Sequence, residues 1–276
     1  MSVRAVCLGN LVPPAPSRVA PVGRMTEVVL TGERTWPGIP SENYWFVRHL
    51  ACYRWAATVI GEQSTRAELP GGILDAGSGE GYGSAELMAS CHRSVIAVEL
   101  DAPTAAHARS RYPDMAHVRA NLVALPFANL SFAAAVSLQV VEHIWDPLAY
   151  LRELARCTRG PIIISTPNRP VHSPGLARGE RPANPFHVRE FDAPELADLL
   201  NDAAPNRTPT IYGLVHGERL RAWEHSKGSL PSALLASTVA TDASEFAQSV
   251  GMDDFTVEPF DNCEPTAEIH DLVALW

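Results

Sequence analysis

A doubly wound α/β sheet is predicted by three observations. Short apolar runs alternate along the chain with capped or amphipathic helical stretches. One run, Ile73-Leu74-Asp75-Ala76, leads straight into glycines on alternate positions and then into a helix. Another, Pro161–Ser165, is a near-continuous apolar run of the kind found in a sheet buried on both faces.

The elements follow in order. Ser41-Glu42 caps a helix running to about Gly61, rich in aromatic residues for a surface helix. The first strand is Gly72–Ala76, followed by a helix over Glu80–Ser90. Strand 2 is Ser94–Glu99, and a helix with proline in its first turn spans Pro103–Arg111. Strand 3 is Ala116–Ala120 and strand 4 is Phe132–Leu138. Asp146-Pro147 opens a helix to about Cys157, ahead of strand 5 at Pro161–Ser165. Residues 167–191 carry five prolines and read as a long loop, a length that is usually functional or disordered. Asp192–Asn201 is helical, Thr208–Val215 and His270–Trp276 are the last two strands, and a helical pattern lies at Pro231–Val250.

Composition narrows the partners. A chain of 276 residues with 46% hydrophobic content can bury a sizeable core. Its net charge of −9 argues against nucleic acid, whose phosphates need a basic surface. Five scattered cysteines without a C-x-x-C pair suit reduced thiols in the cytoplasm. No stretch approaches the roughly 18 uncharged apolar residues of a membrane span. Residues 1–24 are proline-rich and aperiodic, which predicts a disordered tail, and Met25 is an alternative start.

The segment Asp75-Ala76-Gly77-Ser78-Gly79-Glu80-Gly81 belongs to a nucleotide-type cofactor pocket. Its spacing excludes the dinucleotide pattern G-x-G-x-x-G, which needs a glycine at 82 or 84, where Tyr82 and Ser84 stand. Gly77 and Gly79 remove side chains where backbone approaches a ligand. Asp75 ends a strand, the position where open α/β sheets bind ligands. Glu99 ends the next strand, eighteen residues after Gly81, where a carboxylate accepts from both ribose hydroxyls.

The pattern D-x-G-x-G-x-G resembles the first motif of class I S-adenosylmethionine (SAM)-dependent methyltransferases. That resemblance covers about residues 31–215 and the last strand. It implies a Rossmann-like seven-stranded sheet ordered 3-2-1-4-5-7-6, strand 7 antiparallel, with helices on both faces. It implies SAM as cofactor and S-adenosylhomocysteine as product. Asp75, Gly77, Ser78, Gly79, Gly81, Glu99, Leu100, Asn121, Leu122 and Gln139 are then the cofactor-binding positions, with Asp75 facing the methionine amino group. Asn121 departs from the usual Asp that accepts from the adenine amino group, although its carbonyl also accepts. Ala133 replaces another common Asp.

Gln139-Val140-Val141-Glu142-His143-Ile144-Trp145-Asp146-Pro147 resembles the Glu-His segment of the ubiquinone-biosynthesis-like branch. By that resemblance Glu142 and His143 lie beside the sulfonium, and His143 is a candidate base for an attacking hydroxyl. Capping of the next helix is the alternative role. Asn184-Pro185-Phe186-His187-Val188-Arg189-Glu190-Phe191 resembles the family's H-x-x-E-F segment, which closes over the acceptor. His187, Arg189 and Glu190 are then acceptor contacts or a base. His187, Glu190 and His143 are also metal-ligand types, but their spacing demands no metal and none is predicted. The leader resembles those of methyltransferases encoded among glycan-assembly enzymes, which makes Tyr44, Trp45 and Arg48 candidates for a lid over SAM with an aromatic face near the sulfonium. An amphipathic helix packed on the sheet edge is the alternative and the better fit for most of those aromatics.

These readings divide the chain into the tail at 1–24, a leader and lid helix at 25–66, and a methyltransferase domain at 67–276. Insertions at 167–191 and 216–265 lie on the acceptor side. The expected acceptor is a small molecule or oligosaccharide, with a sugar hydroxyl as the group methylated. The combined motifs, with Ser165-Thr166-Pro167-Asn168-Arg169 and Tyr212-Gly213-x-x-His216-Gly217, look like an actinobacterial group associated with methylation of the mycofactocin oligosaccharide. Methylation of a quinone- or lipid-like acceptor, and SAM binding without catalysis, are the alternatives. Nothing in the residues fixes the oligomeric state.

Overall fold

The structure is a computed structural model that describes residues 35–66, 70–182, 184–236, 238–263 and 269–276. The expected tail at 1–24, Met25 and the leader residues 31–34 lie outside the described residues.

Helix α1 (Asn43–Arg66) precedes β1 (Ile73–Ala76), α2 (Tyr82–Cys91), β2 (Val95–Glu99), α3 (Ala102–Arg111), β3 (Ala116–Arg119) and β4 (Ala134–Leu138). There follow α4 (Pro147–Cys157), β5 (Ile162–Pro167), the single turn α5 (Arg169–His172), α6 (Ala193–Ala203) and β6 (Thr210–His216). The chain ends with α7 (Glu218–Lys227), α8 (Leu230–Leu235), α9 (Thr241–Gln248), β7 (Phe255–Pro259) and β8 (Ile269–Leu275). Aspartates start three of the helices: Asp101 accepts from Thr104 N–H, Asp146 from Ala149 N–H, and Asp192 forms a capping box with Glu195.

The strands form one sheet in the order β3-β2-β1-β4-β5-β8-β6-β7. Strands β1 to β5 pair in parallel, and β8 is antiparallel to both β5 and β6. The first seven strands of that order match the expected 3-2-1-4-5-7-6 arrangement, with β8 in the antiparallel place. The eighth, β7, pairs antiparallel with β6 at the edge and was not predicted. Its five residues end at Pro259 and alternate weakly, so only the open edge of β6 makes them a strand. Helix α7 was likewise absent from the expectation, and the pattern read at 231–250 is two helices, α8 and α9, broken near Ala236.

The pleat divides the core in two. On one face Leu74, Ala76, Ile162 and Ile164 pack against Tyr150, Leu151 and Leu154 of α4 and Leu196 and Leu200 of α6. On the other, Ile73 and Ile163 pack with Tyr53, Ala56 and Ile60 of α1 and Leu87 of α2. Because side chains alternate along a strand, Asp75 falls on the α1–α2 face with Ile73. The start of α1 is tied to the far end of the chain: Asn43 Nδ2 donates to the carbonyls of Ala247 (3.0 Å) and Val250 (2.9 Å). That tie sets the N-terminal turn of α1 over the carboxyl ends of the strands.

Candidate active site

The turn after β1 is built around Asp75. Its carboxylate is fully buried, accepting from Tyr53 Oη of α1 (3.2 Å) and from Ser84 Oγ of α2. Burial pushes its pKa up to about 7, against the two hydrogen bonds, which pull it down. Asp75 therefore braces the turn from beneath, through two residues that the sequence patterns did not single out. The N–H groups of Gly77 and Ser78 both donate to the Val98 carbonyl, at 2.8 and 2.9 Å.

The glycines have different jobs. Gly77 (φ +84°) stands where a Cβ would meet Val140 Cγ2 at 2.4 Å, so packing excludes a side chain there. Packing therefore gives Gly77 a reason to be small besides the expected approach of its backbone to a ligand. Gly83 opens space for the Tyr53 ring, which a Cβ would approach to 2.0 Å. Gly81 (φ +82°) lies close against Ala108 and Tyr112. Gly79 (φ +51°) alone of these four faces open space, with no atom within 4 Å of a Cβ. Beside it, Ser78 Oγ is buried without a hydrogen-bond partner. Glu99 spans the cleft, accepting from Gly79 N–H (3.1 Å) and Asp101 N–H (2.9 Å). An orphaned hydroxyl, an open glycine face and a strand-end carboxylate suit SAM, whose amino acid and ribose groups need such partners.

The outer cofactor positions are less uniform. Leu100 exposes 56% of its surface next to Glu99. Asn121 is exposed, and its Oδ1 accepts from Val123 N–H at 3.1 Å, a local turn that occupies the atom expected to reach adenine. Leu122 is a buried core residue, so only its backbone is available to a ligand. Gln139 adopts φ +57°, uncommon for a residue other than glycine, while its Nε2 donates to Ser165 Oγ at 3.1 Å.

A cavity of about 510 Å³ opens above β4 and β5, and Trp45, Arg48, Gln139, Glu142, His143 and His187 are among its walls. Glu142 is 1% exposed. Its Oε2 accepts from Thr166 Oγ1 at 3.0 Å, and its Oε1 has no hydrogen-bond partner. Burial pushes its pKa up to about 7, with the nearby His187 pulling it down. The carbonyl of Glu142 accepts from Val188 N–H at 2.8 Å and from Arg189 N–H at 3.3 Å, tying the 184–191 segment over the site. The Phe186 carbonyl accepts from His143 Nδ1 at 3.1 Å, which assigns the lone pair to Nε2. That Nε2 lies 3.9 Å from Glu142 Oε1. His187 is held at both nitrogens: Nδ1–H donates to Glu190 Oε1 at 2.8 Å and Nε2 accepts from Asn184 Nδ2 at 3.0 Å. The two imidazoles meet edge to face with centroids 5.0 Å apart. Glu142, His143 and His187 also bring their ligand-type atoms within 4.8 Å of one another, a convergence that sequence spacing does not reveal.

The lid expectation is corrected in part. Trp45 and Arg48 line the cavity, but Tyr44 does not. Tyr44 is fully buried, its hydroxyl 2.8 Å from His216 Nε2, because the inner stripe of α1 packs against the sheet end. Arg48 is buried in an ion pair with Asp271 of β8, and its guanidinium lies 5.5 Å from the Trp45 ring centroid. One face of the Trp45 ring thus carries the Arg48 guanidinium. Arg189 is exposed and outside the cavity wall, and Glu190 reaches the site only through His187.

Two buried acids with raised pKa values make stability pH-dependent. Asp75 and Glu142 bind protons in the folded state up to about pH 7, but in the unfolded chain only to about pH 4. Their contribution is fully present below about pH 4 and is lost as pH rises through 7. Thermal midpoints of Glu142→Gln are therefore expected to fall less than those of the parent protein between pH 5 and about pH 8. Parallel curves would contradict the assignment.

A family model described as a methyltransferase domain matches residues 74–161. Over 231 residues the chain is 42% identical to a Mycobacterium tuberculosis protein described as a "probable S-adenosylmethionine-dependent methyltransferase", covering 83% of this chain and 78% of that one. A Mycolicibacterium smegmatis protein of the same description is 40% identical over 239 residues, covering 83% and 88%. Among solved structures, a Thermotoga maritima SAM-dependent methyltransferase, described as a "possible histamine N-methyltransferase", superposes with a TM-score of 0.50 at 17% identity. That match covers 85% of this chain and 92% of the other, and supports the fold. With the glycine turn, Glu99 and the sheet order in agreement, the chain belongs to the SAM-dependent methyltransferases.

Proposed function

We propose that the protein methylates a hydroxyl of a sugar or glycan, with His143 as the base. The observation that carries this reading is the His143–Glu142 pair. The Phe186 carbonyl fixes the imidazole so that Nε2 carries the lone pair, 3.9 Å from a buried carboxylate oxygen in the cavity wall. A neutral hydroxyl is a weak nucleophile and gains from such a base. SAM, held by Ser78, Gly79 and Glu99, supplies an electrophilic methyl group. The acceptor oxygen forms its bond to the methyl carbon as the carbon–sulfur bond breaks, and S-adenosylhomocysteine leaves. The hydroxyl proton passes to His143 Nε2, and Glu142 balances the imidazolium. Much of the rate gain comes from holding oxygen, carbon and sulfur in line. Asp75 supports SAM through the turn that it braces, and Asn121 and Leu100 border the adenine side.

The polar wall, with Arg48, Gln139, His172 and Asn184, supports a hydroxyl-rich acceptor, and the mycofactocin oligosaccharide is the first to test. Leu234, Leu235 and Val239, which also line the cavity, favour the second reading, a quinone- or lipid-like acceptor. The place of action in this proposal is the cytoplasm, supported by the free Cys52, Cys91, Cys157 and Cys263. Among the described residues no helix is long and apolar enough to cross a membrane. Radiolabelled methyl transfer into fractionated cell extract tests the acceptor. Label in the water-soluble glycan fraction is expected. Label in extracted lipid supports the second reading, and no label with SAM binding intact points to a non-catalytic protein.

A further inference from the structure

A second cluster of ligand-type side chains lies behind the active site, on the far side of β8. His216 ends β6 and is 1% exposed. His270 stands near the start of β8, where the pairing slips: Leu214 faces Asp271 and Val215 faces Ile269, leaving His270 as the extra residue of a bulge. Bulges re-aim side chains, and here the His270 ring lies on His216 with centroids 3.8 Å apart. Glu224 from α7 places Oε2 2.8 Å from His216 Nδ1. Two imidazoles and a carboxylate thus bring their ligand atoms within 4.8 Å of one another. They line a separate cavity of about 480 Å³, with Arg221 and His225 on its wall.

The bulged histidine points to a ligand. His270 Nδ1 is buried and has no hydrogen-bond partner, although the residue is only 6% exposed. An orphaned imidazole nitrogen needs an explanation, and an ion is one of the few that fit beside a carboxylate. A neutral ring is the form that binds a metal.

We propose that His216, Glu224 and His270 form a binding site for one divalent transition-metal ion of the zinc class. Two imidazoles with one carboxylate are a donor set that zinc accepts, with a fourth position left for water from the cavity. Nitrogen and oxygen ligands at about 2.0–2.2 Å would stand roughly 3.3 Å apart in a tetrahedron. The two rings now lie stacked at 24° to one another, so binding would tilt them apart about the ion and rotate Glu224 toward it. On binding, the His216 proton resides on Nε2 and is donated to the Tyr44 hydroxyl oxygen, leaving Nδ1 for the ion. Tyr44 then orients a ligand, which gives this buried residue a role away from SAM. The ion would pin α7, and through Tyr44 also α1, to the end of the sheet.

The test uses the full chain, stripped with chelator and titrated with zinc chloride by isothermal titration, with metal content measured after gel filtration. One zinc per chain is expected in the parent protein and in His187→Gln, which disables the Glu142–His143–His187 cluster. His270→Gln and Glu224→Gln are expected to lose affinity by roughly a hundredfold or more, and Tyr44→Phe by about tenfold. Glu224 is partly exposed, so Glu224→Gln decides the matter should His270→Gln fail to fold. Zinc is also expected to raise the thermal midpoint of the parent protein but not of Glu224→Gln. No zinc above the chelated background, or equal retention in Glu224→Gln and His270→Gln, overturns the proposal. Loss of zinc in His187→Gln alone overturns it as well, by placing the ion in the acceptor cavity.

Discussion

His143→Asn is expected to lower kcat by about 10²–10⁴-fold while leaving the affinity for S-adenosylhomocysteine unchanged. The reasoning rests on the asymmetry between the two active-site imidazoles. His187 spends Nδ1–H on Glu190 and accepts at Nε2 from Asn184, so it serves to position the loop over the cavity. His143 is anchored at Nδ1 by the Phe186 carbonyl and directs Nε2 toward Glu142. His187→Asn should therefore raise KM more than it lowers kcat. Equal losses of kcat in both variants, or an unchanged kcat in His143→Asn, would assign the proton transfer elsewhere. Because the Glu142 carboxyl titrates near pH 7, the rate of the parent protein should rise through that region as the carboxylate becomes available to balance the imidazolium.

Gly79→Arg is expected to abolish SAM binding, measured by isothermal titration, with the fold retained. Gly79 faces open space, so the new side chain enters the volume that the cofactor needs. Its φ of +51° adds a strain of about 1–3 kcal/mol for any side chain. The control is Gly83→Ala, where the Cβ would press on the Tyr53 ring at 2.0 Å. That change should destabilise the protein by about 1–3 kcal/mol through overpacking. Both variants should melt somewhat below the parent protein; SAM binding lost in Gly79→Arg but retained in folded Gly83→Ala separates the ligand face of the turn from its packing face. Retained SAM affinity in Gly79→Arg would contradict this placement of the cofactor.

Much of this arrangement was legible in the residues. Strands β1, β4 and β5 are mostly apolar runs buried on both faces, and the starts of α3, α4 and α6 are marked by Asp101, Asp146 and Asp192. The edge strand β7 was not legible, because a short strand with one partner carries little pattern of its own. The glycine turn was legible as a cofactor site, but not the division of labour within it. Gly77 and Gly83 are small for the sake of Val140 and Tyr53, which lie 63 and 30 positions away in the chain, out of reach of any local spacing rule. The active-site pair Glu142-His143 was visible as a motif, whereas the groups that orient it, Thr166 and the Phe186 carbonyl, come from other segments. Tyr44 looked like a lid residue because aromatic content alone does not say which side of a helix faces inward. Asp271 offered a signal that went unused: a carboxylate within the apolar run of β8 needs a buried partner, and Arg48 is that partner.

The central claim is that a methyl group passes from SAM to a sugar oxygen at the His143–Glu142 site. Its most direct test is to supply SAM labelled with ¹³C in the methyl group, together with the glycan fraction, and to locate the label by heteronuclear NMR. The account predicts a methyl carbon bonded to oxygen and correlated with a sugar-ring proton, absent from the His143→Asn reaction. A label bonded to nitrogen or carbon, or no transfer by a protein that still binds S-adenosylhomocysteine, would contradict it.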